Sequence, residues 1–262
     1  MTTKSKNNVR VFGRGERTMI FSHGYGCDQN MWRLLVPAFE DRYRIILFDL
    51  VGSGRSDLSA YDRVRYSSLH GHAGDVLAIL AEFATGPAVF VGHSVSAMIG
   101  LLAGVSAPER FDAHVMIGPS PCYVNDGDYV GGFSRADIDS LLDTLDSNYL
   151  GWASAMAPQI MGAPDQPALG VELTNSFCAT DPEIARHFAR VTFLSDNRAD
   201  VPRLTTRALV LQCSDDLIAP LPVGQYLHAH LPRSELRVVD NIGHCPHLSA
   251  PAAITDAIVA FL

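Results

Sequence analysis

The sequence predicts an α/β fold, with a mostly parallel central sheet, helices on both faces and a four-helix block inserted at the sheet's C-terminal edge. Three observations carry that expectation. Short apolar runs alternate with helical stretches over most of the chain. Several runs are apolar throughout, as in strands buried on both faces. Between Tyr123 and Pro202 the alternation stops and consecutive helical patterns replace it.

The strand signals come first. Val9–Phe12 and Thr18–Ser22 precede Gly-rich turns. Arg44–Phe48 is a continuous apolar run closed by Asp49, and Ala88–Gly92 and Ala113–Ile117 repeat the pattern. Ala208–Gln212 and Leu236–Val239 continue it toward the C-terminus. The helices lie between. Leu69–Ala84 carries Val76, Ile79, Leu80 and Phe83 on one face at the helical spacing. Ser94–Val105 is apolar nearly all round and is stopped by Pro108, and Ala252–Leu262 closes the chain as an amphipathic helix. Strands alternating with helices imply parallel pairing covered on both sides.

The interruption reads as four helices, Arg135–Leu145, Tyr149–Met161, Gln166–Cys178 and Pro182–Ser195, punctuated by Pro158, Gly162, Pro164, Pro182 and Pro202. Ligands of open α/β sheets bind at the strands' C-terminal ends. A helical insertion there is expected to cover a site, dividing the chain into a core of residues 1–122 and 203–262 and a lid of residues 123–202.

Composition narrows the function classes. The 262 residues are 47% hydrophobic and 18% charged, with a net charge of −8, and no Lys/Arg cluster offers a footprint for nucleic acid or anionic membrane. No apolar run approaches the ~18 residues of a membrane span. The N-terminal stretch lacks the apolar segment of a secretory signal. Five scattered cysteines, Cys27, Cys122, Cys178, Cys213 and Cys245, form no C-x-x-C pair and suit reduced thiols in a cytoplasm.

The chemistry centres on Gly92-His93-Ser94-Val95-Ser96, between a strand and a helix. That is the strand–turn–helix setting of a nucleophile elbow, whose tight turn needs small residues two positions either side of the serine. Ser96 stands where glycine is usual, a mild steric departure. The plain alternative for Ser94 is a helix N-cap. A serine hydroxyl needs a base. His244, after Gly243 in the loop between the last strand and the last helix, is the expected base, with His247 the neighbouring alternative. The acid is expected after the preceding strand, at Asp216 in Ser214-Asp215-Asp216-Leu217, with Asp215 the alternative. The amides of Val95 and of Tyr25, in Ser22-His23-Gly24-Tyr25-Gly26, are expected to hold an oxyanion. The aromatics Tyr123, Tyr129, Phe133, Tyr149, Trp152, Phe177, Phe188 and Phe193 are candidates to line the cavity or to fill the helix core.

Other motifs lead elsewhere less well. The pairs His70/His72 and His228/His230 have no third ligand at useful spacing, so no metal is expected, and nothing calls for a cofactor. Gly52-Ser53-Gly54-Arg55-Ser56 lacks the Lys-Ser/Thr ending of a phosphate loop and reads as a turn.

The strings HGYGCDQNMW, FDLVGSGRSD, VGHSVSAMIG, PSPCYVNDGDYVGGF and GHCPHLSAP resemble the RsbQ-type α/β-hydrolases, a group that also holds the plant karrikin and strigolactone receptors. The resemblance runs from about residue 5 to the C-terminus. It implies the triad Ser94, Asp216 and His244, oxyanion amides at Tyr25 and Val95, and a pocket touched by Tyr25, His93, Tyr123, Phe133, Phe193 and Leu217. It further implies a small ester or lactone ligand, a positive regulatory role in stress signalling and a PAS-domain phosphatase as partner. A dedicated metabolic esterase or lactonase, a C–C hydrolase and a cofactor-free haloperoxidase-like activity are alternatives the same fold hosts. A dehalogenase would need an aspartate where Ser94 stands.

Overall fold

The computed structural model describes residues 2–262. Seven strands, β1 (Arg10–Phe12), β2 (Arg17–Ser22), β3 (Tyr43–Leu47), β4 (Ala88–His93), β5 (Phe111–Ile117), β6 (Ala208–Asp215) and β7 (Ser234–Ile242), form one sheet in the order β1-β3-β2-β4-β5-β6-β7. All neighbours pair in parallel except β1, which runs antiparallel against β3 at the edge.

Among the described residues the ten α-helices are α1 (Thr3–Lys6), α2 (His70–Phe83), α3 (Val95–Ser106), α4 (Arg135–Ser147), α5 (Tyr149–Met161), α6 (Pro167–Ala179), α7 (Pro182–Phe193), α8 (Leu221–His230), α9 (Pro246–Ser249) and α10 (Pro251–Phe261). None of the described helices is long and apolar enough to cross a membrane. The short α1, α8 and α9 are the additions to the expected set. Pro158 lies within α5 rather than ending it.

The central strands are apolar because they feed two cores at once. Met19, Phe21, Val89, Val91, Val115, Ile117, Leu209 and Leu211 join one cluster. Their alternating neighbours Ile20, Phe90, Met116 and Val210 join the other. A side-chain period of two sends successive residues to opposite faces. Buried residues of α2, α3 and α8 complete the second cluster. The first is completed by α10, by Trp32, Leu35 and Phe39 of the β2–β3 connection, and by the four helices α4–α7 that stand between β5 and β6. The insertion thus shares one apolar core with the sheet.

Two buried carboxylates organise connections that apolar periodicity does not reveal. Asp75 of α2 accepts from Lys6 Nζ at 2.6 Å, Arg65 Nη2 at 2.6 Å and Tyr66 Oη at 2.7 Å, pinning α1 to the core. Asp49, after β3, accepts from the amides of Gln29 at 2.8 Å and Arg55 at 2.9 Å and from Asn8 Nδ2 at 2.8 Å. A Cβ on Gly54 would lie 2.6 Å from Asp49 Oδ2, so the Gly52–Ser56 segment is a turn wrapped around this carboxylate.

Candidate active site

The C-terminal ends of β2, β4, β6 and β7 meet at one edge of the sheet. At β4 the chain turns sharply into α3. Ser94 sits at the N-cap position, yet its side chain caps nothing. Its φ of 57° and ψ of −125° are rare for a residue with a Cβ. A Cβ on Gly92 would come within 2.7 Å of the Ser96 carbonyl oxygen, so only glycine fits that side of the turn. Ser96 is accommodated by bonding outward: its Oγ accepts from Ser22 Oγ at 2.9 Å and donates to the His23 carbonyl at 2.5 Å.

The loop after β7 brings His244 to this serine. His244 Nε2 lies 2.7 Å from Ser94 Oγ, and Nδ1 lies 2.7 Å from Asp216 Oδ2. The carboxylate can only accept, so Nδ1 carries the proton and Nε2 is the acceptor for the serine hydroxyl. Asp216 is fixed in turn by the amides of Ile218 at 2.8 Å and Ala219 at 3.1 Å, which donate to its Oδ1. Gly118, at φ +56°, leaves room for the ring: a Cβ there would sit 3.1 Å from His244 Cε1.

The two alternatives point elsewhere. Asp215 ends β6 with an exposed side chain. His247 is fully buried, packed on Trp32 at 4.9 Å and on His93 at 4.4 Å between ring centroids. Burial, then the neighbouring His244, pushes its pKa down to about 3, so it stays neutral.

The turn after β2 presses on the serine. A Cβ on Gly24 would lie 2.6 Å from His93 Nδ1 and 3.4 Å from Ser94 Cβ. His23 holds that turn: the Leu50 amide donates to its Nε2 at 3.0 Å, so Nδ1 is protonated and donates to the Gly24 carbonyl at 2.9 Å. Tyr25 follows directly, and Val95 opens α3, where the first amides have no intrahelical acceptor. The Tyr25 hydroxyl is engaged away from the serine, donating to the Ala185 carbonyl of α7 at 3.0 Å.

The cavity above Ser94 is lined by Tyr25, Cys27, His93, Tyr123, Trp152, Ile160, Leu173, Phe177, Thr192, Phe193, Ile218, His244 and Cys245. Empty space between these side chains, mouth included, totals about 440 Å³, but only about 30 Å³ admits the centre of a water-sized sphere. That is room for about two waters. A larger guest must displace aromatic side chains.

Two expected lining residues are corrected. Leu217 points outward and is 49% exposed, while Ile218, 6% exposed, faces the cavity. The two amide bonds to Asp216 fold this segment into a turn that rotates Leu217 outward. Phe133 packs half-buried beside the core rather than on the cavity wall, because its backbone pairs with the Tyr123 carbonyl and the Asn125 amide in a loop ahead of α4. Cys27, Ile160, Leu173, Thr192 and Cys245 line the wall without having been singled out for it. Helical spacing in α5, α6 and α7 was the available signal for three of them.

The paired histidines hold no metal-like geometry. His72 is buried and stacked on Tyr66 at 4.5 Å while His70 is exposed, and His228 and His230 lie exposed on α8. Among the described residues His93, Cys245 and His247 bring donor atoms within 4.8 Å of one another. The group is poorly suited to a cation. Burial raises the Cys245 thiol well above its usual range, which disfavours the thiolate a cation would need.

With this geometry in place, residues 19–257 match the model of the alpha/beta hydrolase family. The chain belongs to the alpha/beta hydrolase family. It is 38% identical over 254 residues to the karrikin insensitive 2 receptor CA of Petunia hybrida, covering 97% of this chain and 94% of the relative. It is 37% identical over 250 residues to the strigolactone esterase D14 of Arabidopsis thaliana, covering 95% and 93%. A solved hydrolase from Oleispira antarctica superposes with a TM-score of 0.95 at 43% identity, covering 99% of this chain and 95% of that one. This alpha/beta hydrolase therefore shares nearly its full length with plant receptor and esterase relatives and with a bacterial hydrolase.

Proposed function

We propose that this alpha/beta hydrolase cleaves a small, largely apolar ester or lactone by a serine mechanism. The observation that carries the reading is the unbroken hydrogen-bond chain Asp216–His244–Ser94, set beneath a narrow, aromatic-lined cavity. His244 Nε2 takes the Ser94 proton as Oγ attacks the carbonyl carbon. Asp216 keeps the tautomer and stabilises the imidazolium. The Tyr25 and Val95 amides receive the oxyanion, and His244 then protonates the leaving oxygen. Water, with His244 again as base, releases the acyl group. Residues 123–202 serve as the lid over this chemistry.

Turnover of p-nitrophenyl acetate tests the assignment. Ser94→Ala is expected to lower kcat at least about 10³-fold, and Asp216→Asn by about 10³- to 10⁴-fold. Equal rates for Ser94→Ala and wild type overturn it.

The same site serves a sensor in stress signalling within this proposal, in a cytoplasmic setting, with a PAS-domain phosphatase as partner. The RsbQ-type strings and the receptor relatives support that extension. The cavity's tightness supports it too, because binding a guest must reshape the aromatic wall that α5, α6 and α7 contribute. Co-purification with and without a lactone is the check. A kcat near ~10 s⁻¹ and no stable partner would favour a dedicated metabolic esterase.

A further inference from the structure

The lid helix α7 turns a stripe of Ala185, Phe188, Ala189 and Thr192 inward, at the 3.6-residue spacing. Thr192 is the polar member of this stripe. It is 2% exposed, it lines the cavity, and its Oγ1 has no hydrogen-bond partner. A helical threonine has an easy way out of that position, because one of its two common rotamers returns the hydroxyl to the carbonyl four residues earlier. Three other threonines on or beside these helices do so. Thr144 donates to Ser140 at 2.8 Å, Thr174 to Gly170 at 2.8 Å and Thr180 to Ser176 at 3.4 Å. Thr192 alone among the four leaves its own helix unbonded.

Most of the surrounding wall cannot answer it. Tyr25 has spent its hydroxyl on Ala185, and the buried Cys27 thiol is only a weak hydrogen-bonding group. Trp152, Phe177 and Phe193 line the same cavity with aromatic rings. Tyr123 also lines the cavity, and its hydroxyl makes no hydrogen bond to Thr192.

Resting on the hydrolase reading above, we infer that Thr192 forms a hydrogen-bonding subsite in the lid for a second oxygen of the substrate. This is an ether, ring or hydroxyl oxygen, distinct from the scissile carbonyl. The substrate class is then an oxygenated small ester or lactone rather than a plain alkyl ester. A buried hydroxyl left unmatched discriminates strongly against a ligand that lacks the matching atom.

Isosteric ester pairs test this. The p-nitrophenyl esters of methoxyacetic, 3-methoxypropanoic and 4-methoxybutanoic acid differ from the butanoate, pentanoate and hexanoate by one oxygen in place of one methylene. That oxygen moves outward along the series. The readout is the ether-to-alkyl ratio of kcat/KM, which cancels intrinsic ester reactivity when wild type is compared with a variant. Thr192→Val keeps the branched shape and removes the hydroxyl, and is expected to lower this ratio about tenfold for at least one member. Thr192→Ser is expected to restore it. A ratio unchanged by Thr192→Val across all three pairs overturns the subsite.

A second measurement separates this proposal from the hydrolase reading. Fluorescence of Trp152 on the cavity wall reports binding of the corresponding methoxy and alkyl methyl esters to Ser94→Ala and Ser94→Ala/Thr192→Val. Binding that depends on Thr192 without turnover in wild type sinks the hydrolase reading and keeps the subsite. Turnover in wild type, with ether and alkyl esters bound alike by both variants or not bound at all, sinks the subsite alone.

Discussion

Ser96 shows how one substitution in a tight motif can be turned to structural use. Glycine at this place would satisfy the turn. The serine instead bridges the end of β2 and the start of α3 through Ser22 and the His23 carbonyl. Those are the two backbone segments that supply Tyr25 and Val95. Removing the hydroxyl strands Ser22 in a site with no exposure. Ser96→Ala is therefore expected to cost about 1–3 kcal/mol in urea unfolding, and to lower kcat about tenfold as the two amides lose registration. Unchanged stability together with unchanged kcat would show the bridge to be incidental. The serine, histidine and aspartate were legible in the sequence because each follows a recognisable strand, and strand ends converge in this fold. Leu217 was misplaced because resemblance locates a loop but not its faces. The outward turn is set by two amide bonds to Asp216, which no periodicity encodes. Thr192 was missed for a related reason, since a threonine on an inward helical stripe looks like an ordinary β-branched filler until its hydroxyl is seen to lack a partner.

The end of α5 and the loop that carries His244 meet backbone to backbone. The His244 amide donates to the Ile160 carbonyl near the end of α5 at 2.8 Å. Beside it Gly243 holds φ +106°, and a Cβ there would lie 1.9 Å from the Met161 carbonyl oxygen. Gly162, at φ +65°, faces it so closely that its own Cβ would come within 2.6 Å of Gly243 Cα. No side chain fits between the segments, so displacement of the end of α5 displaces His244. Gly243→Ala is expected to destabilise by about 2 kcal/mol or more, through strain at positive φ and the clash, and to lower kcat at least about tenfold. Stopped-flow acylation beside chemical denaturation reads both. A stability loss with kcat intact would mean that the loop holds His244 without help from α5. The four inserted helices were visible in the sequence from their periodicity and Pro/Gly punctuation, and all of α4, α5, α6 and α7 begin within one residue of expectation. The Gly162–Gly243 contact was not visible, because it joins residues 81 positions apart (243 − 162) through bare backbone.

Buried histidines are distributed over the core as well as around the candidate active site. Burial pushes His72, His114 and His247 down to about 3, moves His93 well below its usual value and lowers His23. Each is neutral when folded and free to protonate near 6.5 when unfolded. Between about pH 6.5 and pH 3 the unfolded chain therefore binds more protons, and stability falls as pH falls. One such histidine contributes up to about 1.4 kcal/mol per pH unit across that window. The net charge of −8 acts with the opposite sign, since acid relieves self-repulsion, but spread over the surface it is screened beyond about 8 Å at physiological salt. The histidines should win. His114 isolates the effect, because it lies between Phe90 and Phe111 with desolvation as the only cause of its shift. Urea midpoints of wild type are expected to fall steadily from pH 7.5 to 4.5. In His114→Leu the slope against pH should flatten by about one proton, whatever the variant's stability at pH 7.5. A wild-type midpoint level across that range would mean these rings are not held neutral, and equal slopes for the two proteins would remove His114 from the account.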